Sequence, residues 1–326
     1  MLAGETVPYT EAWLQRLRQC YQASARELTE THWAYGRWLG EQVKAFATRH
    51  GLDQVAGVAS HGHTIFHDPS AGYTLQIGEG HALHEACGYP VVADFRSSNV
   101  AKGGQGAPLV PIGDQLLFGE YGACINLGGY ANLSYADEQG TRVAYDIAPC
   151  NVVMNPLAQR LSSPYDEGGA LARTGQLIPQ WYDQLNALPF YQQRPPKSLG
   201  QEWLDTHLQP FLTSQQLPQD LLATFVKHLA YQIRGSLELL PQQGNSKVLV
   251  TGGGAYNSYL IEVTQSLLSP SQKLVVPEAN IVEFKEALVF ALLGWRWELN
   301  QINCLGSATG VAQDHVAGVG YGLKTQ

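Results

Sequence analysis

No CxxC pair, no run of 18 apolar residues and no basic cluster occurs in these 326 residues. Each absence excludes something. The five cysteines, Cys20, Cys87, Cys124, Cys150 and Cys304, are odd in number and widely spaced. They read as free thiols in a reducing compartment, not as a disulfide framework or a zinc site. Without a long apolar run no membrane span is expected. Residues 1–10 lack both a basic and an apolar stretch, so no signal peptide is expected and the cytoplasm is the expected location. Charged residues make up only 15% and the net charge is −8. Nucleic-acid binding is therefore disfavoured, and an anionic ligand would need local donors rather than overall attraction.

What is present is 44% hydrophobic residues and 34 glycines, in a chain long enough for two domains with their own cores. The periodicity predicts helices over 11–20 and 24–49, with Gly51 as a stop. Short apolar runs at 55–60 and 90–95 read as strands ending in polar residues, with a strand at 73–77 and a helix at 81–87 between them. A Gly/Pro-rich loop spans 98–113, and a hinge near 112–120 divides an expected domain of 1–118 from one of 119–326. Strands at 123–127, 131–135 and 142–147 are close enough for antiparallel hairpins. A helix through Val153, Leu157 and Leu161 is expected to start late or kink at Pro156. Leu222, Phe225, Leu229, Ile233 and Leu237 form one stripe of a helix over 219–240. Strands at 247–251 and 273–276, a helix from about 257 and a last helix over 283–299 complete an α/β pattern. Sites in such folds gather at strand carboxyl ends.

Five places could carry chemistry. Asn126-Leu-Gly-Gly-Tyr-Ala-Asn132 is a strand, a Gly128-Gly129 turn and a second strand; it reads as a phosphate-binding turn or as an ordinary glycine hairpin. Val248-Leu-Val-Thr-Gly252-Gly253-Gly254-Ala-Tyr-Asn257 is a strand, three glycines and a helix start; it reads as a nucleotide turn or a tight connection. It is neither a P-loop nor GxGxxG. Asp146, near a strand end before Pro149, is placed for proton abstraction or for a turn. His61, His63, Asp94 and Arg96, with the Gly103-Gly104-Gln105-Gly106 loop, offer polar groups for a sugar's hydroxyls and carboxylate. His61, His63 and His67 lack a metal-ligand pattern, so no metal site is assigned to them. Glu286 lies on an otherwise apolar helical stretch and is a site candidate or a solvated residue.

The segments Ser-His-Gly-His-Thr (60–64), Tyr-Thr-Leu-Gln-Ile-Gly (73–78), Val-Val-Ala-Asp-Phe-Arg (91–96), Gly-Gly-Gln-Gly-Ala-Pro-Leu-Val-Pro (103–111), Asn-Leu-Gly-Gly-Tyr-Ala-Asn-Leu (126–133), Pro-Lys-Ser-Leu-Gly (196–200) and Thr-Gly-Gly-Gly-Ala-Tyr-Asn (251–257) occur in one order along the chain. In that order they resemble the anhydro-N-acetylmuramic acid kinase family. The resemblance implies an actin-like kinase fold, with two α/β domains built on ribonuclease H-like sheets around a cleft. It implies a reaction in cell-wall recycling: ATP, magnesium and water convert 1,6-anhydro-N-acetylmuramic acid to the 6-phosphate. It implies a homodimer acting on a small amino sugar, with no nucleic-acid or membrane partner. By the same match Asp146 is the water-activating base. Gly128, Gly129, Asn132, Gly252, Gly253, Gly254 and Asn257 lie on the nucleotide side. His61, Arg96 and Gln105 lie on the sugar side, and Asp94 and Glu286 join them as substrate-binding candidates from the reading of the residues themselves.

Two departures stand out. Where the family has Asp-Thr-Gly-Pro-Gly-Asn, this chain has Asp146-Ile-Ala-Pro-Cys-Asn151, and Asn155 stands where a second aspartate is common. The family's opening strand and Met-Ser-Gly-Thr-Ser-x-Asp-Gly-type phosphate loop have no counterpart in residues 1–20. The expectation is a first domain incomplete at its N-terminus, with an exposed sheet edge. The alternative is a sugar-binding descendant without catalysis. A carboxylate-pair glycosidase is disfavoured, because no second acid is placed opposite Asp146.

Overall fold

A computed structural model describes residues 1–241 and 246–322. The chain forms two compact units, one of Met1–Gly113 with Glu286–Gln326, the other of Asp114–Lys285. The first crossing lies between Gly113 and Asp114. The second lies inside the helix Ala279–Glu298, so residues 286–326 join the first unit and not the second, as the sequence division had them. The reason is a strand: β10 (Val319–Tyr321) hydrogen-bonds to β4 (Val91–Ala93) of the first unit.

In the first unit β4 is the middle of three strands, parallel to β1 (Val58–Ala59) and antiparallel to β10. β2 (His63–Asp68) and β3 (Tyr73–Ile77) form a separate hairpin. The helix Ala25–Arg49 opens with a capping box, Ser24 and Glu27 bonding each other's backbone amides. It lies close on the helix Gly80–Cys87, because a side chain at Gly40 would put its Cβ 2.5 Å from the Leu83 carbonyl.

The second unit is built on β5 (Ala123–Leu127), β6 (Tyr130–Ala136), β7 (Arg142–Pro149), β8 (Lys247–Thr251) and β9 (Lys273–Val275). Their order is β7-β6-β5-β8-β9. The first three are antiparallel, and β8 and β9 run parallel to β5. This is the ribonuclease H-like arrangement expected, and the class is α/β. Alternation sorts the side chains: Ile125, Leu127, Leu133, Tyr145, Ile147, Val248 and Val250 enter one core. The helix Pro218–Leu237 covers that face, with all five residues of its predicted stripe buried. Pro156 does not delay the helix it interrupts, which begins at Asn151 and ends at Gln159. The last long helix starts four residues before the expected 283, at Ala279.

His228 is fully buried in this core. Its Nδ1 donates to Asn186 Oδ1 at 2.7 Å, and its Nε2 accepts from the Tyr191 hydroxyl at 3.0 Å. Burial pushes its pKa down from 6.5 to about 3. Below pH 6.5 the unfolded chain takes a proton that the folded chain refuses, so stability is lost as pH falls. The contribution of this residue is about 1.4 kcal/mol per pH unit until about pH 3. Denaturant titrations of the parent and of His228→Gln between pH 7 and 5 are expected to differ by that slope.

Candidate active site

The carboxyl ends of the parallel strands β5 and β8 lie side by side, Asn126 paired with Thr251. Asn126 also pairs with Asn132 on β6, and Asn132 with Asp146 on β7. Cross-strand partners share a sheet face. Asn126, Asn132 and Asp146 therefore form a polar row on the face opposite the core, each of them half-buried.

Two glycine turns close on this row. Gly128-Gly129 links β5 to β6 and sits on the start of the helix Asn151–Gln159. The Gly129 carbonyl accepts from the Cys150 and Val152 amides, at 2.8 and 3.2 Å, and Gly128 accepts from Asn151 at 3.2 Å. The turn after β8 packs against the end of β5. A Cβ on Gly252 would lie 2.7 Å from Asn126 Oδ1, and one on Gly254 2.7 Å from Leu127 Cβ. Gly252 also has φ +83°. These two glycines serve close packing, whereas a Cβ on Gly253 would meet nothing nearer than Asn151 Nδ2 at 3.8 Å. Among the described residues the Gly129 and Gly253 amides have no hydrogen-bond partner. Asn151 Nδ2 reaches the Leu127 carbonyl at 3.3 Å and ties the turns together. Cys150 fills the space beneath them. It is fully buried, which pushes its thiol up to about 12. Asn257 is spent locally: its Oδ1 caps the helix Ser258–Leu267 by accepting from the Leu260 amide.

Asp146 is held from the outer side. Its amide donates to the Lys197 carbonyl at 3.0 Å, and its Oδ2 accepts from the Leu199 amide at 2.9 Å. Burial raises its pKa above the usual carboxylate value, and the Leu199 amide opposes that rise.

A second cluster occupies the first unit. Arg96 donates through Nε and Nη2 to His61 Nε2, at 3.2 and 2.8 Å, and through Nη1 to the Gly106 carbonyl at 2.7 Å. His61 Nδ1 donates to the Gly62 carbonyl at 3.0 Å. The ring is thus neutral, with its proton on Nδ1. Burial and then the Arg96 charge lower its pKa, while the negative charge of Glu286 acts against both. Glu286 is exposed, and it offsets the burial that lowers the Arg96 pKa. Asp94 is in the left-handed region at φ +53°. Its Oδ1 accepts from the amide of Ser97, the first residue of a short helix. Gln105 has an exposed side chain, and its amide donates to the Thr309 carbonyl at 2.7 Å. His67 neighbours Gly106, 3.4 Å from the position of an added Cβ there.

The structure thus brings Asp146, Asn132 and the two glycine turns together, and separately His61, Arg96, Glu286 and the 105–106 loop. Asn126, Asn151 and the backbone of Lys197 and Leu199 were not singled out from the sequence. Period-2 alternation gave a signal for Asn126, a polar residue between buried Ile125 and Leu127. No sequence signal joins Leu199 to Asp146 across 53 residues.

Gly252→Ala should destabilise the protein by about 1–3 kcal/mol, because it forces a side chain into a glycine-only conformation. A urea midpoint equal to the parent's would contradict this account of the turn.

A family model described as anhydro-N-acetylmuramic acid kinase matches residues 1–322. The anhydro-N-acetylmuramic acid kinase of Pseudomonas putida is 37% identical over 309 residues, 90% of this chain and 84% of that protein. That of Chromobacterium violaceum is 36% identical over 320 residues, covering 94% and 81%. That of Gloeobacter violaceus is 38% identical over 261 residues, covering 74% and 68%. Among solved structures, the activator of the 2-hydroxyisocaproyl-CoA dehydratase from Clostridium difficile with bound ADPNP has a TM-score of 0.37 and 16% identity, covering 57% of this chain and 64% of that one. With nearly the whole chain matched, the protein belongs to the anhydro-N-acetylmuramic acid kinase family.

Proposed function

We propose that this protein phosphorylates 1,6-anhydro-N-acetylmuramic acid with ATP, opening the anhydro bridge with water, in the recycling of cell-wall sugar. The observation that carries the proposal is a half-buried carboxylate, Asp146, in one row with Asn132 and Asn126 at the glycine turns, in a chain of this family.

Asp146 takes a proton from water, and the water oxygen forms a bond to the anomeric carbon. The bond from that carbon to O6 breaks. O6 then takes the γ-phosphoryl group, ADP leaves, and Asp146 returns its proton to solvent. Burial suits the base to this task, because it raises the proton affinity of the carboxylate. The Gly129 and Gly253 amides are the donors we assign to the nucleotide phosphates. Asn132 and Asn126 border them in the row.

Among the described residues no three His, Cys, Asp or Glu side chains converge as a metal cage. Magnesium is proposed to come with the nucleotide phosphates, where it keeps several waters and needs few protein ligands. When bound it supplies charge neutralisation; the chain's part is to hold the phosphates and the base.

His61 and Arg96 form the sugar-side group, with the Arg96 guanidinium held in place by His61 and Gly106 and the Glu286 carboxylate nearby. Asp94 and Gln105 shape the strand end and loop around them. Among the described residues no helix is long and apolar enough to cross a membrane. Five free, buried thiols support a cytoplasmic enzyme. A homodimer is proposed on the family resemblance alone.

Asp146→Asn should lower kcat by about 10²–10⁴-fold with little change in the KM for ATP, measured as sugar-dependent ADP release. Parental turnover in this variant would remove Asp146 from the role of base.

A further inference from the structure

Among the described residues β7 is the outer strand of its sheet, with β6 its one strand neighbour. At Asp146 its other edge is covered by the non-strand segment Pro-Lys-Ser-Leu-Gly, residues 196–200. This strap makes two different bonds to one residue. The Lys197 carbonyl takes the Asp146 backbone amide, and the Leu199 amide reaches past the backbone to Oδ2 of the side chain. The strap is itself fastened. Lys197 Nζ donates to the Phe190 carbonyl at 3.2 Å and lies 4.5 Å from the centre of the Phe190 ring, which is buried in the core.

We propose that residues 197–199 are a positioning element for the base: the Leu199 amide holds Oδ2 of Asp146, so that Oδ1 is the oxygen presented to water, and Lys197 anchors the strap that carries that amide. This inference rests on the reading of Asp146 as the base. The physical need for such a device is plain. A half-buried carboxylate in a polar row has several rotamers, and a base must keep one of them to meet its water. An amide donor also favours the ionised form, which burial disfavours. The strap therefore aims the carboxylate and keeps it charged.

Few other charges act here. Tyr130 on β6 lies within reach of the Asp146 charge; burial pushes its phenol up, followed by the charges of Asp146, Asp205 and Glu202. Lys197, on the strap, has its ammonium turned to Phe190, and burial lowers its pKa. The two causes at Asp146 itself are burial and the Leu199 amide. With the amide removed, burial is unopposed and the pKa rises.

The test replaces Leu199 by its α-hydroxy acid in the full chain, which removes that one N–H and keeps the side chain. The readouts are the pH profile of kcat/KM and the carbon-13 titration of the Asp146 carboxyl, which needs no turnover. The acid limb and the carboxyl titration should both move up by about one to two pH units, as expected for a hydrogen bond to a charged group. If both stay at parental values in a folded protein, the proposal is overturned. Lys197→Met, which leaves every backbone amide in place, guards against an ester variant that does not fold. It should lower kcat about tenfold at an unchanged sugar KM and move the limb in the same direction, and a parental kcat and profile would overturn the anchoring. Asp146→Asn separates the two possible failures. If that variant keeps parental turnover, the base reading falls. If it is inactive while the ester and Lys197→Met profiles are parental, only the strap proposal falls.

Discussion

The second unit depends on one close approach, that of the turn after β8 to the end of β5. At Gly252 and Gly254 there is no room for a Cβ between the turn and Asn126 or Leu127. Because the backbone can come that near, two parallel strand ends meet with their polar residues in line. Asn151 bonds the Leu127 carbonyl from the neighbouring helix, and Cys150 packs beneath. The glycines are thus a packing requirement first. The same turns leave the Gly129 and Gly253 amides without a hydrogen-bond partner among the described residues, at the strand ends where the Asn126 row begins.

The sheet extends that constraint outward. Order and register place Asp146 two strands from β5, on the face that the core does not use. Its position on an outer strand is what lets a non-strand segment reach its carboxylate. In the first unit the polar cluster is assembled differently. A half-buried guanidinium donates to an imidazole nitrogen and a carbonyl, which hold Arg96 in one place.

Much of this was legible in the sequence where a local rule governs. The strands at 73–77, 123–127 and 247–251 have the bounds expected, and the stripe on the 218–237 helix is buried throughout. The Gly-Gly and Gly-Gly-Gly turns announced themselves by composition. Other features were not legible because distant parts of the chain determine them. Residues 286–326 join the first unit through the pairing of β10 with β4, which no local pattern encodes. Asn257 read as part of a nucleotide motif, yet its side chain is taken up as a helix cap. The bond from Leu199 to Asp146 spans a loop-rich stretch whose path only the folded chain reveals.

The central claim is that this chain couples ATP cleavage to opening of an anhydro sugar. The direct measurement is ADP release by the 326-residue protein with magnesium, ATP and 1,6-anhydro-N-acetylmuramic acid, with the sugar product followed by mass spectrometry. The account predicts release that requires the sugar, with one N-acetylmuramic acid 6-phosphate formed for each ADP. ADP release indifferent to the sugar, or none at all, would contradict it.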